Sequence, residues 1–316
     1  MRKHAAFLTG ALLLLCGVVF ATRVIENEYV FFAGYVVLQF IVLATGWNVM
    51  GGYAGYVNFG AAAFFAVGAY TAAALFKATE LPLALQIVAA IVVAGALGFA
   101  VGVLTLRLRG IFFSIATVAI AVILETVVLN WGYVGGARGM TVLPPETPFG
   151  FGSYMRWLFF VMSLLAVFAV AVARYVETSW IGHGLRALRD DETAAESLGV
   201  PTLRLKTLAA TISGALMGMA GAPYALYLSF IEPTSVFNLN YAVAALAMPV
   251  IGGTSTWAGP VIGAVLLGTS EQIVSVTISS ELNVLILGVV LIVFVVAAPQ
   301  GLIGLARRLW PRKVPR

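Results

Sequence analysis

The feature that most constrains this chain is a series of long apolar runs, because a helix needs about 20 predominantly apolar residues to cross a bilayer. Ten such runs can be read, at residues 5–22, 29–47, 57–76, 83–106, 111–130, 156–174, 205–224, 239–251, 258–278 and 282–299. Hydrophobic residues make up 61% of the 316 residues and charged residues only 10%. A soluble domain would carry about 25% charged residues. The sequence therefore predicts an all-α polytopic membrane bundle with about ten transmembrane helices.

The basic residues lie mainly on one side of the predicted bilayer. With the N-terminus inside, most of the 18 lysines and arginines fall in cytoplasmic segments, and only Arg23, Lys77, Arg138 and Arg156 fall outside. Cytoplasmic loops carry such an excess of positive charge, so both termini are predicted to be cytoplasmic. The net charge of +5 then reports topology, and we expect no nucleic-acid partner. The start of the chain also resembles a signal peptide, but its first run is long enough to span and we expect it to be retained.

Two glycine-rich stretches interrupt the apolar runs. The first covers residues 46–60 and the second residues 248–260. The first is interpreted either as a cytoplasmic turn between two spans or as a broken or re-entrant helix beside a transport path, and the sequence leaves both open. The run at 239–251 before the second stretch is short for a crossing, and paired short segments of this kind point to a translocation pathway. Six residues in or beside these stretches are candidate pathway or broken-helix residues: Asn48, Gly52, Asn58, Gly60, Gly252 and Gly253.

Two acids lie within predicted spans, Glu125 and Glu271. A carboxylate is costly in hydrocarbon, so each is a candidate for the pathway, for a structural polar contact or for a proton relay. Glu125 is retained as a pathway candidate. Glycines at four-residue spacing, such as Gly98 with Gly102 and Gly214 with Gly218, predict close packing between helices.

The segment at about 175–204 is the most highly charged part of the chain and is predicted to be cytoplasmic. Leucines and alanines recur at helical spacing, acids stand where a second short helix would begin, and Gly199 and Pro201 would end it. One or two short amphipathic helices are therefore expected, either resting on lipid or docked to a protein. The acids argue against an anionic lipid surface, and the slim alanines favour a partner groove. The apolar stripe comprises Leu185, Leu188, Ala195 and Leu198.

The residues Glu192-Thr-Ala194-Ala195-Glu-Ser-Leu-Gly199 resemble the cytoplasmic coupling motif of bacterial ABC importer permeases. Other stretches resemble, in the family's order, the M-type membrane subunit of branched-chain amino-acid permeases. These are residues 51–71, Arg107-Leu108-Arg109-Gly110, Gly135-Gly136 with Gly139, Arg204-Leu205-Lys206, Gly252-Gly253 with Gly259-Pro260, and Gly301-Leu302-Ile303-Gly304-Leu305. The matches are spread from about residue 40 to residue 305, so the resemblance covers nearly the whole chain. One departure from the family pattern is Ala61, at a position where the family commonly has histidine. This difference concerns the identity of the substrate.

The resemblance implies one transmembrane permease domain over residues 1–316 of an ATP-driven importer in the bacterial inner membrane. Its substrate would be a branched-chain or related small amino acid. It also implies four kinds of partner: two ATP-binding subunits, a sister permease, a periplasmic binding protein and the surrounding lipid. The coupling residues would be Leu188, Asp191, Glu192, Ala194, Ala195, Leu198 and Gly199. The loops at 131–155 and 225–238 would face the periplasmic protein.

Motifs for chemistry are absent from the sequence. It contains no phosphate-binding loop, no His-Glu-x-x-His zinc motif and no Gly-x-Ser-x-Gly elbow. We therefore expect no catalytic residue, no metal and no cofactor in this chain, with ATP and magnesium bound by partner subunits. Two alternatives remain: an ion-coupled secondary transporter that acts alone, and a membrane receptor or scaffold whose acidic segment recruits a partner.

Overall fold

A computed structural model describes residues 2–79, 81–105, 108, 110–143, 151–277, 288–289, 292 and 301–309. Helices form most of this part of the chain, which confirms the all-α fold class. They are α1 (Arg2–Val24), α2 (Glu28–Asn48), α3 (Ala61–Thr79), α4 (Leu83–Leu104), α5 (Ile111–Leu129), α6 (Tyr154–Thr178), α7 (Trp180–Asp190), α8 (Glu192–Ser197), α9 (Thr202–Gly221), α10 (Tyr224–Leu228), α11 (Pro233–Val236), α12 (Leu239–Gly252), α13 (Ala258–Thr277) and α14 (Gly301–Leu309).

Seven candidate membrane spans occur among the described residues: Phe7–Val24, Glu28–Tyr53, Ala61–Thr79, Leu83–Leu104, Ile111–Leu129, Tyr154–Thr178 and Pro233–Gly252. The chain is thus a polytopic membrane protein. The runs at 205–224 and 258–278 correspond to the 20-residue helices α9 and α13. Of the run at 282–299, only residues 288, 289 and 292 are described. Arg107 and Arg109 also lie outside the described residues. The count of ten spans and the cytoplasmic termini remain predictions.

The short run at 239–251 is completed by the residues before it. The helix α12 alone has 14 residues, and Asn238 caps it by accepting a hydrogen bond from the Asn240 amide at 2.9 Å. The one-turn helix α11 precedes it directly, and together they make the 20-residue candidate span Pro233–Gly252. This length is sufficient for a crossing.

The helix α9 lies at the centre of the bundle, where it packs along α2, α3 and α4. Its glycines allow the backbones to approach. A Cβ atom at Gly218 would lie 2.2 Å from the Ala94 Cβ, and one at Gly98 would lie 2.4 Å from the Ala210 carbonyl oxygen. Such distances leave no room for a side chain, so the predicted close packing at the glycine pairs is confirmed.

Two loops predicted to face outward meet at one end of the bundle. The strands β1 (Met140–Thr141) and β2 (Phe230–Ile231) pair antiparallel, with Met140 opposite Ile231. The Val142 amide extends the pairing by donating to the Ser229 carbonyl at 2.9 Å. The pairing holds the segment after α5 against the segment between α10 and α11.

Candidate functional site

The predicted coupling segment folds as α7 and α8, between the end of α6 and the start of α9. The Asp191 carboxylate caps α8 by accepting a hydrogen bond from the Ala194 amide at 3.0 Å. Gly199 ends α8 with a φ of +82°, and its amide donates to the Glu196 carbonyl at 2.9 Å. A positive φ is a conformation that glycine adopts at low cost. The prediction of one or two short helices with a glycine stop is confirmed, and there are two of them.

Three of the four residues of the apolar stripe face the chain's own core, which corrects our prediction that the stripe faces a partner. Leu185, Leu188 and Ala195 are buried, with at most 3% of their surface exposed. The reason is local: α7 lies on α9, and a Cβ atom at Gly184 would be 2.6 Å from the Leu205 Cδ1. These three residues therefore complete the bundle, and only Leu198 of the stripe is exposed.

The outward face of the segment is different. Leu198 is 84% exposed, and Asp190, Asp191, Ala194 and Gly199 are also exposed. This surface joins one large apolar side chain to two acids and two residues with little or no side chain. An exposed leucine beside small residues is a surface that a groove on another protein can accept.

Glu192 also points inward, although we had grouped it with the acids of the docking surface. Its carboxylate accepts from the Tyr56 hydroxyl and forms an ion pair with the Lys206 ammonium. The side chain of Lys206 is 4% exposed and that of Glu192 is 13% exposed. The Lys206 Nζ also lies 4.7 Å from the centre of the Tyr56 ring. Glu192 thus joins α8 to α9 and to the connection between α2 and α3. We call Glu192, Tyr56 and Lys206 the buried node.

A second link joins α7 to the same connection. The Arg189 Nη1 donates to the Gly52 carbonyl at 3.0 Å. Its aliphatic stem passes over Gly55, where a Cβ atom would lie 2.6 Å from the Arg189 Cγ and where φ is +77°. Both the close approach and the positive φ require glycine at position 55.

The first glycine-rich stretch is a buried, irregular connection. The helix α2 runs on into a π-helical turn, Val49–Tyr53, and residues 54–60 lead to α3. The Asn58 Oδ1 accepts from the Gly60 amide and the Asn58 carbonyl accepts from the Trp47 Nε1, both at 2.7 Å. Asn58 and Gly60 therefore shape the turn into α3. Protein groups satisfy this backbone, as a connection buried in a membrane protein requires.

The second glycine-rich stretch lies against the first. A Cβ atom at Gly52 would be 2.7 Å from the Thr254 carbonyl oxygen and 2.0 Å from the Oδ1 of the buried Asn48. Within the second stretch, Gly252 and Gly253 pack tightly against Gly259. A Cβ atom at Gly252 would be 1.8 Å from the Gly259 carbonyl oxygen, and one at Gly259 would be 1.7 Å from the Gly253 carbonyl oxygen. The fold thus brings four of the predicted residues together: Asn48, Gly52, Gly252 and Gly253.

Glu177, at the end of α6, bonds to both stretches. Its Oε2 accepts from the Trp257 amide at 2.6 Å and from the Tyr53 hydroxyl at 3.4 Å. Arg186 on α7 donates to the Glu177 carbonyl at 2.8 Å, and its Nη2 lies 4.0 Å from the Glu177 Oε1. Glu177 and Arg189 were not predicted as site residues, whereas Tyr56 had a signal because it belongs to the match at residues 51–71. Lys206 had a signal, because it belongs to the Arg204-Leu205-Lys206 match.

Glu125 lies apart from this cluster. The N-terminal part of α5 touches the first stretch, since the Thr117 Oγ1 accepts from the Phe59 amide at 3.1 Å. Glu125 is half-buried and eight residues further along α5, about 12 Å away along the helix axis. Glu271 is half-buried on α13. The described contacts do not join either acid to the coupling segment.

Comparisons with known proteins agree with this architecture. The family model described as "Branched-chain amino acid transport system / permease component" matches residues 29–295. The high-affinity branched-chain amino acid transport system permease protein LivM of Salmonella typhimurium is 31% identical, over 85% of this chain and 68% of the relative. LivH of Escherichia coli is 23% identical, over 84% of this chain and 91% of its own length. BraD of Pseudomonas aeruginosa is 24% identical over the same two fractions. No solved structure shows a significant match.

Proposed function

We propose that this chain, which belongs to the family of branched-chain amino acid transport system permease components, couples ATP hydrolysis by partner subunits to the passage of substrate. It is a multi-pass permease subunit of an ABC importer in the bacterial inner membrane. Its substrates would be branched-chain or closely related small amino acids. The names of its relatives support that class. Because Ala61 stands where the family commonly has histidine, substrate range is the property to measure first.

The proposed partners supply what this chain does not, namely the binding of ATP, the rest of the pathway and the delivery of substrate. It has no phosphate-binding loop in its sequence, so ATP and magnesium would be bound by two separate ATP-binding subunits. A sister permease would complete the pathway, and a periplasmic binding protein would deliver substrate at the end where β1 and β2 pair. Relatives named LivM and LivH in the same Escherichia coli strain are both similar to this chain, which supports a sister of the same fold.

The coupling segment would act as a lever with an outer and an inner face. Ala194, Leu198 and Gly199 on the outer face would sit in a groove of an ATP-binding subunit. On the inner face, the buried node and Arg189 tie the lever to α9 and to the first glycine-rich stretch. Movement of α7 and α8 would then pass directly to the ends of α2 and α3. The inward ion pair of Glu192 is the single observation that carries this proposal.

Uptake by the complete transporter, reconstituted in liposomes with its binding protein and internal ATP, tests the outer face. We expect Ala194→Trp to abolish uptake, because the indole would hold a partner surface away from α8. The protein should still reach the membrane, since Ala194 is exposed and the substitution fills no internal space. The matched control is Ala78→Trp, at an exposed alanine near the end of α3.

Two results would contradict the proposal. Normal uptake by the Ala194→Trp variant would exclude docking at this face. Substrate uptake by the purified chain alone, driven by a proton or sodium gradient, would instead identify an ion-coupled secondary transporter.

A further inference from the structure

The helix α5 is largely uncovered by the rest of the chain. Of its 19 residues, only Phe113, Thr117 and Val128 are buried. Large apolar side chains such as Ile115 and Ile123 are each 60% exposed. In a membrane such a surface is covered either by lipid or by another subunit. A side chain that lipid would not accept can distinguish the two.

Glu125 is such a side chain. It is half-buried and lies about 6 Å along the helix axis from Leu129, the last residue of α5, on the predicted outer side. No described residue forms a hydrogen bond or an ion pair with its carboxylate. Acids within spans almost always face a bundle interior or a water-filled cavity, because a carboxylate is costly in hydrocarbon. The side of α5 that carries Glu125 therefore faces water within the membrane.

The helix α1 provides the contrast. It is also largely uncovered, and Leu8, Leu12, Leu13 and Phe20 each expose 64–70% of their surface. The span Phe7–Val24 contains no acidic residue. This is the composition expected of a helix surrounded by lipid. The two exposed helices thus differ in the surroundings that their side chains require.

The side of α5 that carries Glu125 leads to the first glycine-rich stretch. Ser114 and Val118 come eleven and seven residues before Glu125, so helix geometry places the three on one side of α5. The Ser114 hydroxyl donates to the Val57 carbonyl at 2.8 Å, in the connection between α2 and α3. We call Ser114, Val118 and Glu125 the polar side of α5.

We propose that the polar side of α5 lines a water-filled substrate path, opposite the sister permease, and that Glu125 binds the ammonium group of the passing amino acid. The inference rests on the proposed function, which supplies the amino acid and the sister. A carboxylate near the outer end attracts the ammonium group of a substrate that enters there. Water keeps such an ion pair weak, so the substrate can leave again. The path continues past Val118 and Ser114 to the first glycine-rich stretch, which Arg189 and the buried node tie to the coupling segment.

The reaction of introduced cysteines with a small cationic methanethiosulfonate reagent tests the proposal, in the complete transporter and in a Cys16→Ser background. Glu125→Cys and Val118→Cys should react about ten-fold faster than Ile123→Cys and Val127→Cys, because a thiol in apolar surroundings stays protonated. The two controls lie about 160° around the helix from Glu125. Ile123 and Val127 are 60% and 54% exposed, whereas Val118 is 37% exposed. Exposure in the single chain would therefore give the opposite order.

Substrate should occupy the same path. During ATP hydrolysis, binding protein loaded with leucine should slow the reaction of Val118→Cys and leave that of Ile123→Cys unchanged. Glu125→Gln should lower the rate of leucine uptake about ten-fold, the factor expected for one lost hydrogen bond to a charged group, and Glu125→Asp should retain most of the rate. Because no described residue binds Glu125, neither substitution removes a contact within the described part of the chain.

The wild-type transporter separates the two levels of the argument. If it moved no amino acid, the proposed function would be wrong, whatever the cysteines showed. With normal wild-type uptake, three results would overturn the inference about α5. They are equal or inverted reaction rates on its two sides, no protection of Val118→Cys by leucine, and unchanged uptake by Glu125→Gln. Slow reaction at both Glu125→Cys and Val118→Cys would show that lipid or a dry subunit contact covers the polar side, and would also overturn it.

Discussion

At the scale of residues, a buried ion pair between Glu192 and Lys206 links α8 to α9. Lys206→Met would leave the Glu192 carboxylate half-buried without its cation. Breaking a buried pair on one side costs about 3–5 kcal/mol. We therefore expect a lower thermal unfolding midpoint of the detergent-solubilised chain and less substrate transported per ATP hydrolysed. Glu192→Gln with Lys206→Met removes both charges and should unfold at a higher temperature than Lys206→Met alone.

A surface pair provides the comparison. The Arg189 Nε lies 3.7 Å from the Asp190 Oδ1, and the Asp190 side chain is 74% exposed. Exposed pairs contribute about 0–1 kcal/mol, so Asp190→Asn should leave the unfolding midpoint nearly unchanged. If Lys206→Met were equally harmless, or if the double variant were less stable than both single variants, the buried node would not hold the segment.

The contacts of Glu192 could not be predicted from the sequence. Lys206 belonged to a recognised motif, and Glu192 to another, but nothing in their spacing placed them in contact. Tyr56 is 136 residues from Glu192 along the chain. An acid on a charged segment was expected to face water or a partner. The Glu192 carboxylate instead points inward, because the Tyr56 hydroxyl and the Lys206 ammonium bind it there.

At the scale of elements, glycines determine how closely helices approach. A Cβ atom at Gly68 on α3 would lie 2.0 Å from the Gly218 carbonyl oxygen on α9. The added methyl group of Gly68→Ala must separate two backbones, so we expect a clear fall in the thermal unfolding midpoint and in the amount of protein extracted from membranes. Gly17→Ala on α1 meets nothing within 4 Å and is the control. Equal stability of the two variants would show that α3 and α9 can move apart at little cost.

The elements themselves were predicted more accurately than their ends. The stretch that begins at Gly46 was interpreted either as a turn between two spans or as a broken helix, yet α2 continues to Asn48 and the π-helical turn to Tyr53. Contacts of the Trp47 side chain explain the continuation, because a Cβ atom at Gly51, about one turn further along, would be 2.3 Å from the Trp47 ring. The glycine leaves room for the indole, and the indole hydrogen-bonds to Asn58. Glycine content alone could not distinguish this close packing from a loop.

At the scale of the whole molecule, the orientation in the membrane is the prediction that remains to be measured. In a Cys16→Ser background, a membrane-impermeant maleimide should label Leu198→Cys only in inside-out vesicles. It should label Ala137→Cys only in right-side-out vesicles. Both positions are exposed, so the side of the membrane alone decides the result. Labelling of both from the same side would contradict the distribution of basic residues as the signal of topology.

The sequence by itself determined that this chain is an all-α polytopic membrane protein, and that short amphipathic helices follow the sixth apolar run. Those properties depend on the length of apolar runs, on charge and on capping residues, all of which act over a few turns of chain. Only the tertiary structure decided that Leu188, Ala195 and Glu192 face inward, and that Glu177 joins the two glycine-rich stretches. The direction of a side chain is set by the neighbours that cover or pair it, and here those neighbours come from distant parts of the chain.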